Sequence, residues 1–438
     1  MTRPARASRH IVVLLSLSCG LVGLTAWWGR QLNAANPAMV GRGSPWYGNW
    51  EMGTIEPSQW HRLMPAVALG VVMVRWWPAL CRSTPIRTLP WVTGLLGICW
   101  AATVQAINGW NSLNNGVSYQ ADYLRAVPAV QSPVSFLRAF VERADTYPVH
   151  VQAHPPGQVL LLWALDRVGL GGAWPATAQT LLFAALASGG VLTVLRWEAG
   201  EMAMRRAATF MSLTPAVLAV ATSTDPTFSA LAVLAVVGAF AAERQTTSAA
   251  LLLGVGTGMV AAVACFFTYA APLFLLPALV PLHRLWRARR PGPALAAAFG
   301  GTTIFALVAA SGFWWWDGFQ HTRVAYRSGI ASERPYTYFM VANMAVLLVA
   351  LGPAVLAAVA HRPLPRVAPL VLCAVAGVLF ANFTGLSKGE VERIWLPFIP
   401  WIALAASALP NRMASDRRWL AAQLTLTVGL QLTFASPW

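Results

Sequence analysis

One long polar stretch, residues 108–173, contains side chains suited to acid–base chemistry. Asp122 and Tyr123 lie near its start, and His150 and His154 follow before a Pro155-Pro156 pair. An ionised carboxylate can take a proton from a hydroxyl group, so Asp122 is the candidate general base. Capping of a loop helix is the alternative role for Asp122. Tyr123, His150 and His154 are candidates for hydrogen bonding to a substrate, and support of the proline turn is the alternative role of the two histidines.

A second charged stretch, residues 385–394, lies between two apolar segments. Lys388, the only lysine of the chain, is followed closely by Glu390, Glu392 and Arg393. Charges at a membrane boundary are costly unless they are paired or functional. We expect Lys388 and Arg393 to bind a lipid phosphate, with Glu390 or Glu392 orienting them. A salt-bridge cluster that locks the last spans is the alternative.

Three further residues are candidates for substrate binding or catalysis. Arg334 and Tyr336, near the end of the polar stretch 314–336, are candidate ligands of the same phosphate. Asp225 lies between two apolar runs, where a bare carboxylate costs a few kcal/mol. It is expected to orient an acceptor, to hold a divalent cation, or to cap the helix that begins at Pro226. No cofactor is assigned, and the four-residue spacing of the histidines without a HExxH pattern does not favour a metal site.

The apolar composition of the chain determines which kind of secondary structure positions these residues. Of the 438 residues, 57% are hydrophobic and only 11% are charged, whereas a soluble protein carries about 25% charged residues. This composition excludes a soluble enzyme, a disordered chain and a disulfide scaffold. The five cysteines lie in or beside apolar segments without a CxxC pattern, so we interpret them as small core residues.

The apolar segments predict about 13 membrane spans. A span needs about 20 mainly apolar residues, and charges, prolines and glycines separate the segments. They are placed near 11–28, 63–80, 89–107, 174–195, 207–222, 227–242, 248–265, 268–283, 293–313, 337–359, 367–384, 395–410 and 419–435. Gly254, Gly256 and Gly258 fall inside one span and predict close helix packing.

The net charge of +16 reports orientation rather than a nucleic-acid partner. With the N-terminus in the cytoplasm, most arginines fall in short inner turns and most acids fall on the outer side, as the positive-inside rule requires. The C-terminus is then outside. One transmembrane domain, 1–438, carries the outer loops 29–62, 108–173, 314–336 and 385–394. Residues 134–144 and 158–165 of the long loop suit interfacial helices.

Three motifs, taken in order, resemble a known family. Asp122-Tyr123, His154-Pro155-Pro156-Gly157 and Thr224-Asp225-Pro226 are similar to elements of the GT-C glycosyltransferase superfamily. The resemblance, over 90–313, is to its polyprenyl-phosphate-sugar branch, which includes protein mannosyltransferases and aminoarabinose lipid A transferases. It implies an all-α polytopic GT-C-like fold, an acidic catalytic residue in the first large outer loop, and single-displacement inversion at the anomeric carbon.

The expected function is therefore sugar transfer on the outer face of a bacterial inner membrane. The donor would be a polyprenyl-phosphate sugar, the acceptor a cell-envelope glycan, lipid or protein, and Asp122 and Asp225 the catalytic residues. A multi-pass transporter or lipid flippase is the first alternative, and a non-catalytic subunit of an envelope-polymer assembly is the second. Transporters need ionisable groups near the middle of spans, whereas the acids here cluster at one face.

Overall fold

The fold is almost entirely helical. The computed structural model describes residues 3–35, 43–46, 49–50, 57–246, 248–361 and 364–435. Its α-helices are Arg3–Ala35, Leu63–Ser83, Leu89–Gln105, Asn115–Ser118, Pro133–Ala139, Val149–Gln152, Gly157–Arg167, Ala173–Met211, Asp225–Glu243, Ser248–Cys265, Ala271–Phe274, Leu279–Arg287, Gly292–Ala310, Trp315–Ser328, Ile330–Glu333, Tyr336–Val359, Ala368–Phe383, Val391–Ile394, Ile399–Ala403 and Met413–Thr433.

Short 3₁₀ helices and one small strand pair complete the described residues. The 3₁₀ helices are Pro57–Arg62, Ala106–Asn108, Trp110–Asn114, Tyr123–Ala129, Ala144–Thr146, Pro215–Ala219, Leu276–Ala278 and Leu404–Ala408. Asn49–Trp50 and Phe434–Ala435 form a two-residue antiparallel ladder. Residues 36–42, 47–48 and 51–56 of the predicted outer loop 29–62 lie outside the described residues, and the first part of this loop belongs to the helix that ends at Ala35.

Eight helices of the described residues are long and apolar enough to cross a membrane. They span Arg9–Ala34, Gln59–Ser83, Leu89–Asn108, Ala173–Met211, Asp225–Glu243, Ser248–Cys265, Gly292–Ala310 and Tyr336–Val359. Eight of the predicted segments fall on these helices. The chain is thus an all-α protein with the helices of a multi-pass membrane protein, and the count of 13 spans stays a prediction.

Prolines divide the predicted spans 207–222 and 268–283. The segment 207–222 takes the end of the Ala173–Met211 helix and then a 3₁₀ turn that begins at Pro215. The segment 268–283 divides into three short helices, because prolines at 272, 277 and 281 each lack an N–H for the helical ladder. Proline therefore divides helices inside apolar segments that hydropathy alone describes as single spans.

Three other predicted spans correspond to helices that are shorter or more polar at one end. The segment 367–384 forms Ala368–Phe383, which has 16 residues. The segment 395–410 forms Ile399–Ala403 and then a 3₁₀ helix. The segment 419–435 belongs to Met413–Thr433, whose first turns carry Asp416 and two arginines.

The long loop 108–173 also contains the expected helices, with one altered boundary. The helix predicted over 134–144 covers Pro133–Ala139 and continues as turns. The apolar run 158–165 forms the helix Gly157–Arg167. Their location at a membrane interface remains a prediction.

The chain divides into two compact units. Unit 1 comprises Met1–Leu113, Ala184–Asp225 and Glu333–Trp438, and unit 2 comprises Asn114–Phe183 and Pro226–Ser332.

Unit 1 is held together by buried side chains of its long helices. Tyr338 is wholly buried, donates its hydroxyl to the Thr25 carbonyl at 3.2 Å, and meets the Trp28 ring edge-on at 5.4 Å. The break at Gly352, where φ is +77°, brings the backbone so close to Pro215 that a Cβ would lie 2.6 Å from its ring. Glycine is therefore required at this kink by both its conformation and its packing.

Unit 2 contains two helices that pack through small residues. At Gly254 and Gly258 of Ser248–Cys265, a Cβ would collide with backbone carbonyls of Pro293 and Ala297 in Gly292–Ala310. The prediction of close packing is confirmed at these two positions. It is wrong for Gly256, because a Cβ there would meet no atom within 4 Å.

Candidate functional site

Asp122, in unit 2, combines a capping role with a histidine partner. The residue is 3% exposed. Its Oδ1 accepts the Tyr123 backbone N–H at 2.6 Å, at the start of the Tyr123–Ala129 3₁₀ helix. Its Oδ2 lies 3.6 Å from Nδ1 of His150. The capping alternative is thus confirmed, and it leaves the second carboxylate oxygen directed at an imidazole.

Backbone contacts bring the two histidines to this carboxylate. The His150 N–H donates to the Ala121 carbonyl at 3.0 Å, which joins two parts of the loop next to Asp122. Nδ1 of His154 lies 3.0 Å from the His150 carbonyl oxygen. The four-residue spacing therefore places the His154 ring against the backbone carbonyl of His150. The two imidazoles have different partners, because that of His150 lies beside Asp122.

Aromatic rings surround the acid–histidine pair. The His154 ring stacks on Phe228 at 5.1 Å between centroids, and Tyr123 meets both rings at 5.8 and 6.3 Å. Tyr123 is 3% exposed and Phe228 is 2% exposed. Sequence reasoning missed Phe228, because an aromatic residue in an apolar helix carries no signal of its own.

The structure explains why the His154-Pro155-Pro156-Gly157 motif ends in glycine. Both prolines are buried, and Gly157 begins the Gly157–Arg167 helix. The Gly157 N–H donates to the Phe266 carbonyl at 2.8 Å, and a Cβ at Gly157 would collide with that same oxygen. Glycine is therefore required for the backbones to meet, and this contact fixes the position of the turn that carries His154.

A second site lies in unit 1 and consists of Asp225, Arg334, Glu390, Glu392 and Arg393, which we call the charge cluster. Arg393 is 7% exposed. Its Nη1 donates to Oδ2 of Asp225 at 3.2 Å, and its Nη2 donates to Oε2 of Glu390 at 2.6 Å. A guanidinium with two carboxylate partners is held in one orientation.

Arg334 completes the cluster from the segment before the Tyr336–Val359 helix. Its Nη1 donates to the Lys388 carbonyl at 2.6 Å, and its Nη2 lies 3.4 Å from Oε1 of Glu390. Its guanidinium also lies over the Phe339 ring, 5.7 Å from the centroid. Glu390 therefore bridges the two arginines, one with each carboxylate oxygen.

Glu390 adopts an unfavourable backbone conformation. Its φ of +60° and ψ of 17° place it in the left-handed region, which costs a non-glycine residue on the order of 1–2 kcal/mol. The neighbouring Gly389 has φ of +90°, and a Cβ there would lie 3.0 Å from the Phe339 ring. The strain is offset by the two arginine contacts, and such strain is typical of functional sites.

Two buried asparagines hold the loop that carries these charges. Asn343, 1% exposed, donates to Oδ1 of Asn382 at 3.1 Å and to the Ser387 carbonyl at 2.8 Å, and its Oδ1 accepts the Gly389 N–H at 3.3 Å. Sequence reasoning missed this role. A single amide inside the otherwise apolar segment 337–359 was the available signal.

Glu392 differs from the other acids of the charge cluster. The residue is partly exposed, but its Oε2 is wholly buried and has no hydrogen-bond partner among the described residues. Burial raises the pKa of Glu392 to about 7, and the negative charge of Glu390 acts in the same direction. A hydrogen bond to its own backbone, and then Arg393 and Arg334, oppose the increase. Burial thus favours the neutral form of this carboxyl.

The remaining predicted ligands lie beside the charge cluster. Tyr336 is 38% exposed and donates its hydroxyl to the Phe383 carbonyl at 2.7 Å. Lys388 is half-buried and contributes its backbone carbonyl to Arg334. The salt-bridge cluster expected as an alternative for 385–394 is thus present, with Arg334 as an additional member.

Two further observations concern possible metal ligands and a cavity among the described residues. No three His, Cys, Asp or Glu side chains converge among the described residues, and the Asp225 carboxylate is paired with Arg393. An apolar cavity of about 570 Å³ in unit 2 is lined by residues such as Ala239, Gly258 and Phe305, and by none of the predicted site residues.

Comparisons with known proteins do not identify a family. No protein-family model matches the chain, and no curated protein matches it in sequence.

Proposed function

We propose that this chain is a membrane glycosyltransferase that moves a sugar from a polyprenyl-phosphate donor to a cell-envelope acceptor. The observation that carries the proposal is the buried Asp122 carboxylate, which has one oxygen fixed by the Tyr123 N–H and the other beside His150. A carboxylate held in this way has the orientation that a general base needs.

In this reaction Asp122 takes the proton of the acceptor hydroxyl. The hydroxyl oxygen forms a bond to the anomeric carbon, and the bond from that carbon to the phosphate oxygen breaks. The electron pair leaves with the polyprenyl phosphate. His150 holds the carboxylate in place, and the ring of His154, which packs on Tyr123 and Phe228 and is partly exposed, is the one that can contact the sugar.

The charge cluster, taken by itself, is a candidate phosphate site of unit 1. Guanidinium groups recognise phosphate oxygens in a bidentate manner. Arg334 and Arg393 are both preorganised by Glu390. Lys388, on the same loop as Glu390, supplies a further cation.

The distribution of charge favours an enzyme over a transporter. Four of the candidate spans, Leu89–Asn108, Ser248–Cys265, Gly292–Ala310 and Tyr336–Val359, contain no charged residue. Transporters place ionisable groups inside such helices to carry substrate or ions. The acids of the two candidate sites instead lie at helix ends and in loops, where an interfacial reaction would occur. On this proposal the protein resides in a bacterial inner membrane with its N-terminus in the cytoplasm.

The test is transfer of radiolabel by the purified full chain. Wild type, Asp122→Asn and Asp166→Asn are incubated with a panel of labelled polyprenyl-phosphate sugars and membrane acceptors. Asp166 is a matched control, since it is an exposed acid at the end of the Gly157–Arg167 helix of the same unit. We expect Asp122→Asn to lose about 10²- to 10⁴-fold in rate, as removal of a general base does, and Asp166→Asn to retain wild-type rate.

Two results would contradict the proposal. Equal transfer by wild type and Asp122→Asn would exclude Asp122 as the base. Absence of transfer by wild type with every donor of the panel would reject the glycosyltransferase function itself.

A further inference from the structure

The charge cluster contains one acid that the proposed sugar transfer does not use. Glu392 lies in the short helix Val391–Ile394, outside the candidate spans. Its Oε2 is buried and has no hydrogen-bond partner among the described residues. The ionised carboxylate is destabilised relative to the neutral carboxyl, because a hydrogen bond to its own backbone and the nearby arginines do not fully replace the water that it has lost.

The other acids of the cluster are paired with its arginines. Arg393 pairs with Asp225 and Glu390, and Arg334 pairs with Glu390. An ionised Glu392 would add a further negative charge near Glu390, and this repulsion disfavours the ionised form. The neutral form of Glu392 avoids the repulsion.

The elements packed against the Val391–Ile394 helix supply few other titratable groups. The Pro215–Ala219 turn has none. The Tyr336–Val359 helix has Tyr336 and Tyr338, whose hydroxyls donate to the Phe383 and Thr25 carbonyls. Arg334 precedes that helix, and Lys388 lies on the same loop as Glu390. Burial raises the pKa of Glu392 toward neutral pH, so this acid of the cluster is the one from which we expect a change of charge there.

We propose that Glu392 takes up a proton when an anionic phosphodiester binds to Arg334 and Arg393. The inference rests on the phosphate role proposed for these arginines. An incoming negative charge repels an ionised Glu392 and leaves a neutral one unaffected, so binding shifts the carboxyl toward its protonated form. By linkage, protonation of Glu392 must in turn strengthen phosphate binding.

Calorimetry of the full chain in nonionic detergent tests this coupling. The probe is dihexyl phosphate. This phosphodiester stays ionised over the pH range of the titrations and therefore cannot take up the proton itself. Titrations at about pH 7 in imidazole and in bis-tris, two cationic buffers with different ionisation enthalpies, give the number of protons bound. The variants are Glu392→Gln and, as a matched control, Glu333→Gln, an exposed acid next to Arg334.

We expect wild type and Glu333→Gln to take up a fraction of a proton per phosphodiester at pH 7, and this fraction should increase at higher pH, where more Glu392 is ionised before binding. Glu392→Gln should take up none. Above pH 7 the dissociation constant of wild type should increase toward tenfold per pH unit, while that of Glu392→Gln stays constant.

Three results would overturn the inference, and they can be distinguished. The inference about Glu392 fails if wild type and Glu392→Gln take up the same number of protons, or if wild type binds the phosphodiester without taking up a proton. Neither result contradicts the phosphate site itself. Absence of binding by wild type rejects the phosphate site as well. If Glu392→Gln does not fold, infrared difference spectra of wild type with and without dihexyl phosphate test the inference instead. Binding of the phosphodiester should increase the absorption band of protonated carboxyl groups, and an unchanged band would contradict the inference.

Discussion

Nη1 of Arg393 lies 3.2 Å from Oδ2 of Asp225, although 168 positions separate the two residues in the chain. The side chains are 9% and 7% exposed, so this is a buried ion pair. Arg393 also holds Glu390, and Glu390 holds Arg334. Residues that the sequence presents in three separate segments therefore form one network in unit 1.

Removing Arg393 should destabilise the protein strongly. Arg393→Gln leaves Asp225 buried without its cation, and loss of one partner of a buried pair costs about 3–5 kcal/mol. The measurement is thermal unfolding in detergent of wild type, Arg393→Gln and the double variant Asp225→Asn/Arg393→Gln. The double variant should recover part of the loss, because it no longer buries the Asp225 charge. A single variant as stable as wild type would contradict the expectation.

A second buried ion pair predicts a contrast between two acids of unit 1. Asp416 is 1% exposed and accepts hydrogen bonds from Arg206 at 2.9 Å and from Arg82 at 3.0 Å. Asp416→Asn should therefore lower stability by about 3–5 kcal/mol. Glu201, whose side chain is 57% exposed, pairs with Arg205 on one helix face, and Glu201→Gln should change stability by less than about 0.5 kcal/mol. Similar melting temperatures for the two variants would refute this contrast.

Glu392 predicts a pH-dependent contribution to stability with a definite sign. Its folded-state pKa of about 7 lies above the ordinary value of 4.5, so the folded state binds the proton more tightly. The resulting stabilisation is present in full below about pH 4.5 and is lost as the pH rises to about 7. Melting temperatures of wild type minus those of Glu392→Gln should therefore decrease between about pH 5 and 8, and Glu333→Gln should not alter the wild-type profile. A difference that is constant with pH would show that Glu392 ionises normally.

His150 predicts a functional effect without a large loss of stability. If it positions Asp122, His150→Ala should reduce the rate of sugar transfer by on the order of ten- to a hundredfold, because a misplaced base reacts slowly. His321→Ala is the control, since His321 lies in the same unit and contacts the exposed Asp145 at 3.3 Å. The pH profile of the rate separates positioning from folding, because a merely structural defect lowers the amount of active protein equally at every pH. Unchanged transfer by His150→Ala would exclude the positioning role.

Much of the helical architecture could be predicted from composition and local pattern. Each span must be apolar by itself to cross a bilayer, so segments such as 248–265 and 337–359 were visible without any neighbour. Gly254 and Gly258 also indicated close packing before their partners were known. The helix boundaries differ from the predicted segments where proline lies in an apolar run, as in 268–283, because a missing N–H breaks a helix regardless of how apolar its residues are.

The pairing of site residues was decided by tertiary structure. The sequence by itself indicated that Asp122, Asp225, Glu390 and Arg393 were costly charges near apolar segments, since that cost depends on the residue and its immediate surroundings. It did not indicate that Asp122 faces His150, or that Arg393 joins Asp225. Those contacts connect distant segments, and which oxygen meets which nitrogen depends on how helices and loops pack against one another.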